Sequence, residues 1–145
     1  MSTRSQVKVT DGDNSLTLYH HTDGYPSGIL PLIRQAWTKY GQEWEGARVY
    51  KVASMLCAVD PVIFEPLDYH TIHGDIEFYY LIDCKGTAHI GTKPDWTVTT
   101  YAVSFDFRHM GEEPKADEER LHALHTCKVS ELTDPVIEAI ENKNN

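Results

Sequence analysis

The sequence has few cysteines, no long apolar run and a shortage of basic residues, and the first two of these exclude whole classes of protein. Its three cysteines, Cys57, Cys84 and Cys127, are odd in number and far apart, so they predict no disulfide framework and fit a reducing cytosol. No run approaches the ~20 apolar residues of a membrane-spanning helix. Residues 1–6 lack the apolar segment of a signal peptide. We therefore expect a cytoplasmic protein without a membrane partner.

The shortage of basic residues excludes a further class of partner. The chain has 13 lysines and arginines against 22 aspartates and glutamates, which gives a formal net charge of −9 at pH 7. Sequence-independent nucleic-acid binding depends on Lys and Arg to neutralise phosphates, so we expect no nucleic-acid partner. One local basic pocket remains compatible with this composition. The 145 residues are enough for one domain with its own core, and we predict a single α+β domain over 1–145.

The first half of the chain predicts a hairpin followed by two helices. Apolar and polar residues alternate on both sides of the polar loop 11–14, and the second strand of this hairpin is predicted over Ser15–His21. Apolar residues then recur at three- and four-residue steps, which predicts helices over Ser27–Tyr40 and Trp44–Val59. Ser27 is the expected N-cap, and Trp37 is expected to be buried against the sheet.

The second half predicts the rest of the sheet and short helices. Strands are predicted over Asp75–Asp83 and Thr97–Phe107, and Ala88–Ile90 is a candidate return strand. A short helix is predicted over Ala116–His125, and a last one opens at Asp134 and Pro135 and runs through Ile140. The predicted fold class is α+β: a mostly antiparallel sheet, two helices inserted after the first hairpin, and short C-terminal helices.

Two polar motifs carry the functional candidates. In the first, His21, Asp23, Gly24, Tyr25 and Ser27 lie between a predicted strand and a predicted helix. Glycines permit close backbone approach, and a helix start offers free N–H groups to an anion, so the pattern favours an anion or nucleotide pocket. The alternative is a plain strand-to-helix turn.

The second motif contains His73, Asp75 and Glu77. Asp75 and Glu77 share one face of an extended strand, and with His73 they could hold a divalent cation or perform acid–base chemistry. A solvated strand face is the alternative. We predict that the motifs form one concave site, because each lies at one end of a strong strand.

A third cluster, His122, His125 and Cys127, resembles part of a zinc site. The chain has no complementary ligand pair at a suitable spacing, so we expect no structural zinc and no cofactor.

The two motifs, in this order, resemble those of small phage and prophage proteins that have no assigned activity. Members carry a His-Trp-Asp-Gly-Tyr-Pro element and, downstream, a His-Gly-Asp-Ile-Glu-Tyr element. The match covers about the middle half of the chain, with Thr22 in place of the tryptophan and Phe78 in place of the tyrosine. The resemblance implies a viral origin and action in the host cytoplasm. By analogy, it suggests an antagonist of host defence that sequesters a nucleotide signal.

Three functions follow from these patterns. The first is a protein that binds a small anionic or nucleotide-like ligand through His21, Asp23, Gly24, Tyr25, Ser27, His73, Asp75 and Glu77. The second is a metal-assisted hydrolase or lyase that uses His21, His73, Asp75 and Glu77. The third is a protein-interaction module with Tyr79 and Tyr101 on an aromatic strand face. The sequence leaves a homo-oligomer and a host protein partner open.

Overall fold

A computed structural model describes residues 3–41, 44–60, 64–68, 70–85, 94–104 and 116–143. Its strands are β1 (Ser5–Thr10), β2 (Ser15–His20), β3 (Phe64–Leu67), β4 (Phe78–Asp83), β5 (Thr97–Val103) and β6 (Leu121–Lys128). Its α-helices are α1 (Pro26–Lys39), α2 (Val49–Val59), the single turn α3 (Asp117–Arg120) and α4 (Asp134–Asn142). Short 3-10 helices cover Trp44–Ala47 and Val129–Glu131.

The six strands form one mixed sheet in the order β3-β2-β1-β4-β5-β6. Neighbouring strands are antiparallel except β1 and β4, which run parallel at the centre. The predicted fold class, α+β with a mostly antiparallel sheet, two helices after the first hairpin and short C-terminal helices, is confirmed. None of the helices in the described ranges has the length and apolarity needed to cross a bilayer.

Among the described residues, two clusters of buried side chains form the core. The larger one joins one face of the sheet to α1, α2 and α4, with Val7, Leu18, Tyr80 and Ile33 among its fully buried members. The smaller one lies on the opposite face and packs the segment before β4 onto the sheet; it contains Tyr19, Ile72, Ile76, Tyr79 and Val103. Ile76 therefore packs on the opposite face of the sheet from Phe78. The predicted strand over Asp75–Asp83 would place both side chains on the same face.

Helix α1 begins one residue earlier than predicted. Its N-cap is Tyr25, and Pro26 lies in the first turn, so the prediction that Ser27 caps the helix is wrong. Proline is favoured at this position because its missing N–H has no helical acceptor there. Pro31 lies inside the helix, beyond its first turn. The second helix begins at Val49 rather than Trp44, since Trp44–Ala47 is a 3-10 turn.

The prediction of a helix over Ala116–His125 is wrong beyond its first turn. Helix α3 ends at Arg120, and the chain continues as β6, which pairs antiparallel with β5 from Val103 beside Leu121 to Thr97 beside Lys128. Pairing with β5 outweighs a weak local helix pattern here, as tertiary context commonly does. The last helix is confirmed, with Thr133 as its N-cap. Ala88–Ile90 and the end of the predicted strand Thr97–Phe107 lie outside the described residues.

Trp37 is half-buried rather than buried. Its side chain packs against the larger core cluster, and its indole N–H donates to the Pro94 carbonyl oxygen at 2.7 Å. A half-exposed ring with a hydrogen-bonded N–H is a common state for tryptophan, which has one polar end.

We predict that Tyr80→Phe lowers the free energy of unfolding by about 1–3 kcal/mol, the cost of leaving a buried acceptor without its donor. The Tyr80 hydroxyl is fully buried and donates to the Gly24 carbonyl oxygen at 2.7 Å. Urea unfolding would measure the loss. Tyr50→Phe is the matched control, because Tyr50 is 63% exposed. Equal stability of the two variants would contradict the proposed role of this hydrogen bond.

Candidate functional site

The glycines of the first motif serve close packing. A side chain at Gly24 would place its Cβ 2.8 Å from the Arg4 carbonyl carbon, and one at Gly28 would lie 2.0 Å from the Asp23 carbonyl oxygen. Asp23 itself has a φ of 51°, a left-handed conformation that aspartate tolerates better than most residues. The turn is tied to the N-terminal segment, because the Gly24 N–H donates to the Thr3 carbonyl oxygen at 2.8 Å.

The start of α1 already holds an anion from the protein itself. Glu141 of α4 accepts hydrogen bonds from the Ser27 N–H at 3.1 Å and from the Ser27 hydroxyl at 2.7 Å. The prediction of free N–H groups for a ligand at Ser27 is therefore wrong. A carboxylate at this place satisfies the positive end of the helix, and it ties α4 to α1.

A pocket of about 440 Å³ lies beside this helix start. We call it the helix-side pocket; it is lined by His20, Thr22, Asp23, Tyr25, Ser27, Gly28, Leu32 and Asp60. The Tyr25 hydroxyl donates to Asp23 at 3.1 Å, and this bond raises the pKa of Tyr25. Buried His20 lies between the Thr22 carbonyl oxygen and the Asp60 carboxylate, whose Oδ2 is 3.1 Å from Nε2. Both ring nitrogens of His20 thus face oxygen atoms of the protein.

A second pocket, of about 320 Å³, brings the histidines of the two motifs together. We call it the two-histidine pocket; it is lined by Arg4, Tyr19, His21, Glu65, Leu67, His73 and Asp75. The imidazole of His21 lies 4.7 Å from the Tyr19 ring and that of His73 lies 5.0 Å from the same ring, measured between centroids. The centroids of the two imidazoles therefore lie less than about 10 Å apart, since both contact one tyrosine.

Each imidazole in this pocket has a carboxylate beside it. His21 Nε2 lies 2.7 Å from Glu65 Oε2, a short distance typical of a charge-assisted hydrogen bond. His73 Nδ1 lies 4.0 Å from Asp75 Oδ1, beyond hydrogen-bonding distance.

Asp75 has two further neighbours. Its Oδ2 accepts a hydrogen bond from the Tyr19 hydroxyl at 2.9 Å and lies 3.5 Å from Arg4 Nη1. The charge of Asp75 is therefore shared among several groups, whereas Glu65 faces one imidazole at close range.

Buried groups hold the backbone that carries His73. Arg120 has no exposed surface, and its guanidinium donates to the carbonyl oxygens of Ile72 at 2.8 Å and His73 at 2.7 Å, and to that of Ser104 at 2.9 Å. Gln6, also fully buried, accepts from the His73 N–H at 2.8 Å. A buried charge is costly unless it is well hydrogen-bonded, and here these bonds fix one surface loop.

The structure unites only part of the predicted site. His21, His73 and Asp75 line the two-histidine pocket, whereas Asp23, Tyr25 and Ser27 line the helix-side pocket. Glu77 and Gly24 line neither, and the Glu77 N–H donates to the Arg4 carbonyl oxygen at 3.0 Å. Strand β2 ends at His20, and strand β4 begins at Phe78. These two strands are antiparallel but not adjacent, because β1 lies between them.

Sequence reasoning missed Arg4, Tyr19 and Glu65. Tyr19 could have been found, because residues two apart in a strand share a face and Tyr19 precedes His21 by two. Glu65 pairs with Tyr19 across β2 and β3, and no local pattern indicates that contact.

The third cluster is dispersed along β6. His122 Nε2 lies 2.7 Å from the Ser104 hydroxyl, His125 contacts Lys143, and Cys127 packs against the core. Within the described ranges, no group of three or more His, Cys, Asp and Glu side chains is arranged to hold a metal ion. The absence of a structural zinc stays a prediction.

The cysteines are poor nucleophiles at neutral pH. Burial raises the pKa of the Cys57 and Cys127 thiols. Burial, together with the charges of Asp11 and Asp83, raises the pKa of Cys84 to about 12. A thiol needs a depressed pKa to act as a nucleophile near neutral pH, and none of these three thiols meets that condition.

We predict that Arg120→Lys lowers the free energy of unfolding by about 1.5–3 kcal/mol, the scale of one hydrogen bond to a charged group. A lysine ammonium lacks the planar fork that reaches several carbonyl oxygens at once. Denaturant unfolding would measure the loss, with Arg48→Lys as the control, because Arg48 is exposed. A loss no larger than that of the control would contradict the role assigned to Arg120.

We also predict that iodoacetamide alkylates Cys84 far more slowly in the folded protein than in guanidinium at pH 8. A thiol with a pKa of about 12 has only about one thiolate in ten thousand molecules at this pH, whereas an unfolded cysteine is partly ionised. The folded-state rate should rise with pH, since deprotonation produces the reactive form. Mass spectrometry of labelled peptides would measure both rates, and equal rates would contradict the burial of this thiol.

Comparison of the chain with protein-family models, with curated proteins and with solved structures finds no match.

Proposed function

We propose that the protein binds a small anionic ligand, such as a nucleotide, in the two-histidine pocket. The supporting observation is the convergence of His21, His73 and the Arg4 guanidinium on one pocket. These side chains are the cationic and hydrogen-bond-donating groups that recognise phosphate. The volume of about 320 Å³ is at the small end of ligand pockets.

One of the two carboxylates of the pocket, Glu65, can make way for an anion. The side chains of His21 and Glu65 are 48% and 56% exposed, and exposed ion pairs contribute only about 0–1 kcal/mol. A phosphate can therefore replace Glu65 beside His21 at little cost. Asp75 stays in place, since Tyr19 and Arg4 both hold it.

The fixed backbone of the His73 loop also supports binding. Arg120 and Gln6 hold this loop from inside the protein. Little conformational entropy of the loop is therefore lost when a ligand binds. Preorganisation of this kind raises affinity by reducing the entropy lost on binding.

The two alternatives have less support from the contacts. For metal-assisted hydrolysis, Glu77 does not line the pocket with His21, His73 and Asp75. For a protein-interaction module, Tyr79 is 6% exposed and its ring packs on Tyr101 at 6.1 Å between centroids.

Sequestration of a nucleotide in a host cytoplasm, the use suggested by the phage resemblance, is compatible with a small anion pocket.

Calorimetric titration with adenosine monophosphate, and separately with inorganic phosphate, tests the proposal. We expect saturable binding of the nucleotide by the wild type. His21→Ala and His73→Ala should each weaken it by about 10-fold or more, the value of one hydrogen bond to a charged group.

His122→Ala is the matched control, because His122 is an exposed histidine on β6 outside the pocket. Its affinity should equal that of the wild type. Absence of binding by the wild type, or equal weakening by all three substitutions, would contradict a ligand site in this pocket.

A further inference from the structure

The two-histidine pocket contains one carboxylate that stays in place when a ligand binds. Asp75 Oδ2 accepts a hydrogen bond from the Tyr19 hydroxyl at 2.9 Å and lies 3.5 Å from Arg4 Nη1. The Tyr19 ring is buried in the smaller core cluster, so its hydroxyl is a fixed donor. Glu65, by contrast, contacts one imidazole in an exposed ion pair. Of the two carboxylates, Asp75 is therefore the one that a ligand must accommodate.

The second oxygen of Asp75 is an open hydrogen-bond acceptor. Oδ1 lies 4.0 Å from His73 Nδ1, beyond hydrogen-bonding distance. None of the residues that the structure describes donates a hydrogen bond to this oxygen. Because 47% of the Asp75 side chain is exposed and the residue lines the pocket, Oδ1 is available to a donor group of a ligand.

The charge of Asp75 opposes the binding of a bare anion. Two negative charges a few ångströms apart repel each other, so inorganic phosphate held by Arg4 would have an unfavourable neighbour in Asp75. A hydroxyl group next to the phosphate changes this balance, because a hydroxyl donates to a carboxylate in a strong, charge-assisted hydrogen bond. Asp75 therefore favours ligands that carry a hydroxyl donor beside the anionic group.

Arg4 keeps the anionic group and the hydroxyl of such a ligand close together. Its Nη1 lies toward Asp75, and a guanidinium has further N–H donors in the same rigid plane. These donors suit a phosphate, which guanidinium groups bind with matching geometry. A ligand that contacts Arg4 with its phosphate and Asp75 with its hydroxyl must carry the two groups on one small unit, as a sugar phosphate does.

We infer that the ligand of the two-histidine pocket is a ribose phosphate, and that Asp75 selects it by accepting a hydrogen bond from a ribose hydroxyl. The inference rests on the proposed function, since the phosphate must bind to Arg4, His21 and His73. Acidic residues recognise the ribose 2′-hydroxyl in the same way in dinucleotide-binding folds. The shared chemistry covers a ribonucleotide and a free sugar phosphate, and a volume of about 320 Å³ limits the ligand to a small one.

Calorimetric titration with adenosine 5′-monophosphate and with its 2′,3′-dideoxy analogue tests the inference, because the two ligands differ only in the ribose hydroxyls. We expect the wild type to bind the ribose form about 10–100-fold more tightly, the value of one hydrogen bond to a charged group. Titration with ribose 5-phosphate separates the two sources of the ligand. An affinity equal to that of the nucleotide supports a sugar phosphate, and a weaker one supports a ribonucleotide.

Asp75→Asn tests the role of the carboxylate, because two affinities should change in opposite directions. The substitution should lower the preference for the ribose form. It should also strengthen the binding of inorganic phosphate by about 5-fold, since it removes a repulsion. Asp13→Asn is the matched control, because Asp13 is an exposed aspartate in the turn between β1 and β2, outside the pocket. If Asp75→Asn does not fold, Tyr19→Phe, which removes the hydroxyl that holds Asp75, should also lower the preference.

The outcomes separate this inference from the proposed function. Equal binding of the ribose and dideoxy forms by the wild type overturns the selection by Asp75 and leaves the anion site intact. Absence of binding by every phosphate ligand overturns both. A preference for the ribose form that persists unchanged in Asp75→Asn, or in Tyr19→Phe where that variant replaces it, assigns the hydroxyl to another residue and overturns the inference.

Discussion

The position of β1 and of the two residues before it decides where both motifs lie. The Thr3 carbonyl oxygen accepts the Gly24 N–H, and the Arg4 carbonyl oxygen accepts the Glu77 N–H. Ser5 then pairs with His20 on one side and with Phe78 on the other. One short stretch of backbone thus holds the turn after β2 and the segment before β4 at the same end of the sheet. The two-histidine pocket depends on this arrangement.

Strands β1 and β4 pair in parallel, and the long connection that this pairing requires contributes to both the core and the pocket. Parallel neighbours need a long crossover, and this crossover contains α1, α2 and β3 between the two strands. The helices cover one face of the sheet, and β3 extends it beside β2. Glu65 reaches His21 because of that pairing. The same connection therefore builds the larger core and supplies one wall of the pocket.

Local sequence patterns predicted the helices and strands that interactions between neighbouring residues determine. The period of the apolar residues located α1 and α2 to within a few residues at their ends, and alternation located β2 and β5. The β1–β4 pairing and β6 were not predicted, because hydrogen bonds between residues distant in sequence determine them. The candidate site divides in the same way. His21, His73 and Asp75 were selected as polar residues at strand ends, whereas Arg4 and Glu65 enter only through contacts across the sheet.

The first motif shows how a ligand-binding pattern and a structural one can share the same residues. Its glycines suggested a cradle for an anion, but Gly24 lies against Arg4 and Ser5, and Gly28 lies against the Asp23 carbonyl oxygen. The helix start that follows them is satisfied by Glu141. The close packing of the Asp-Gly turn therefore serves to connect β2 to α1 beside β1. This close packing leaves His21 next to the Tyr19 ring, which also contacts the imidazole of His73. The turn contributes one imidazole to the two-histidine pocket, and the other lining residues come from β2, β3 and the segments that flank β1 and β4.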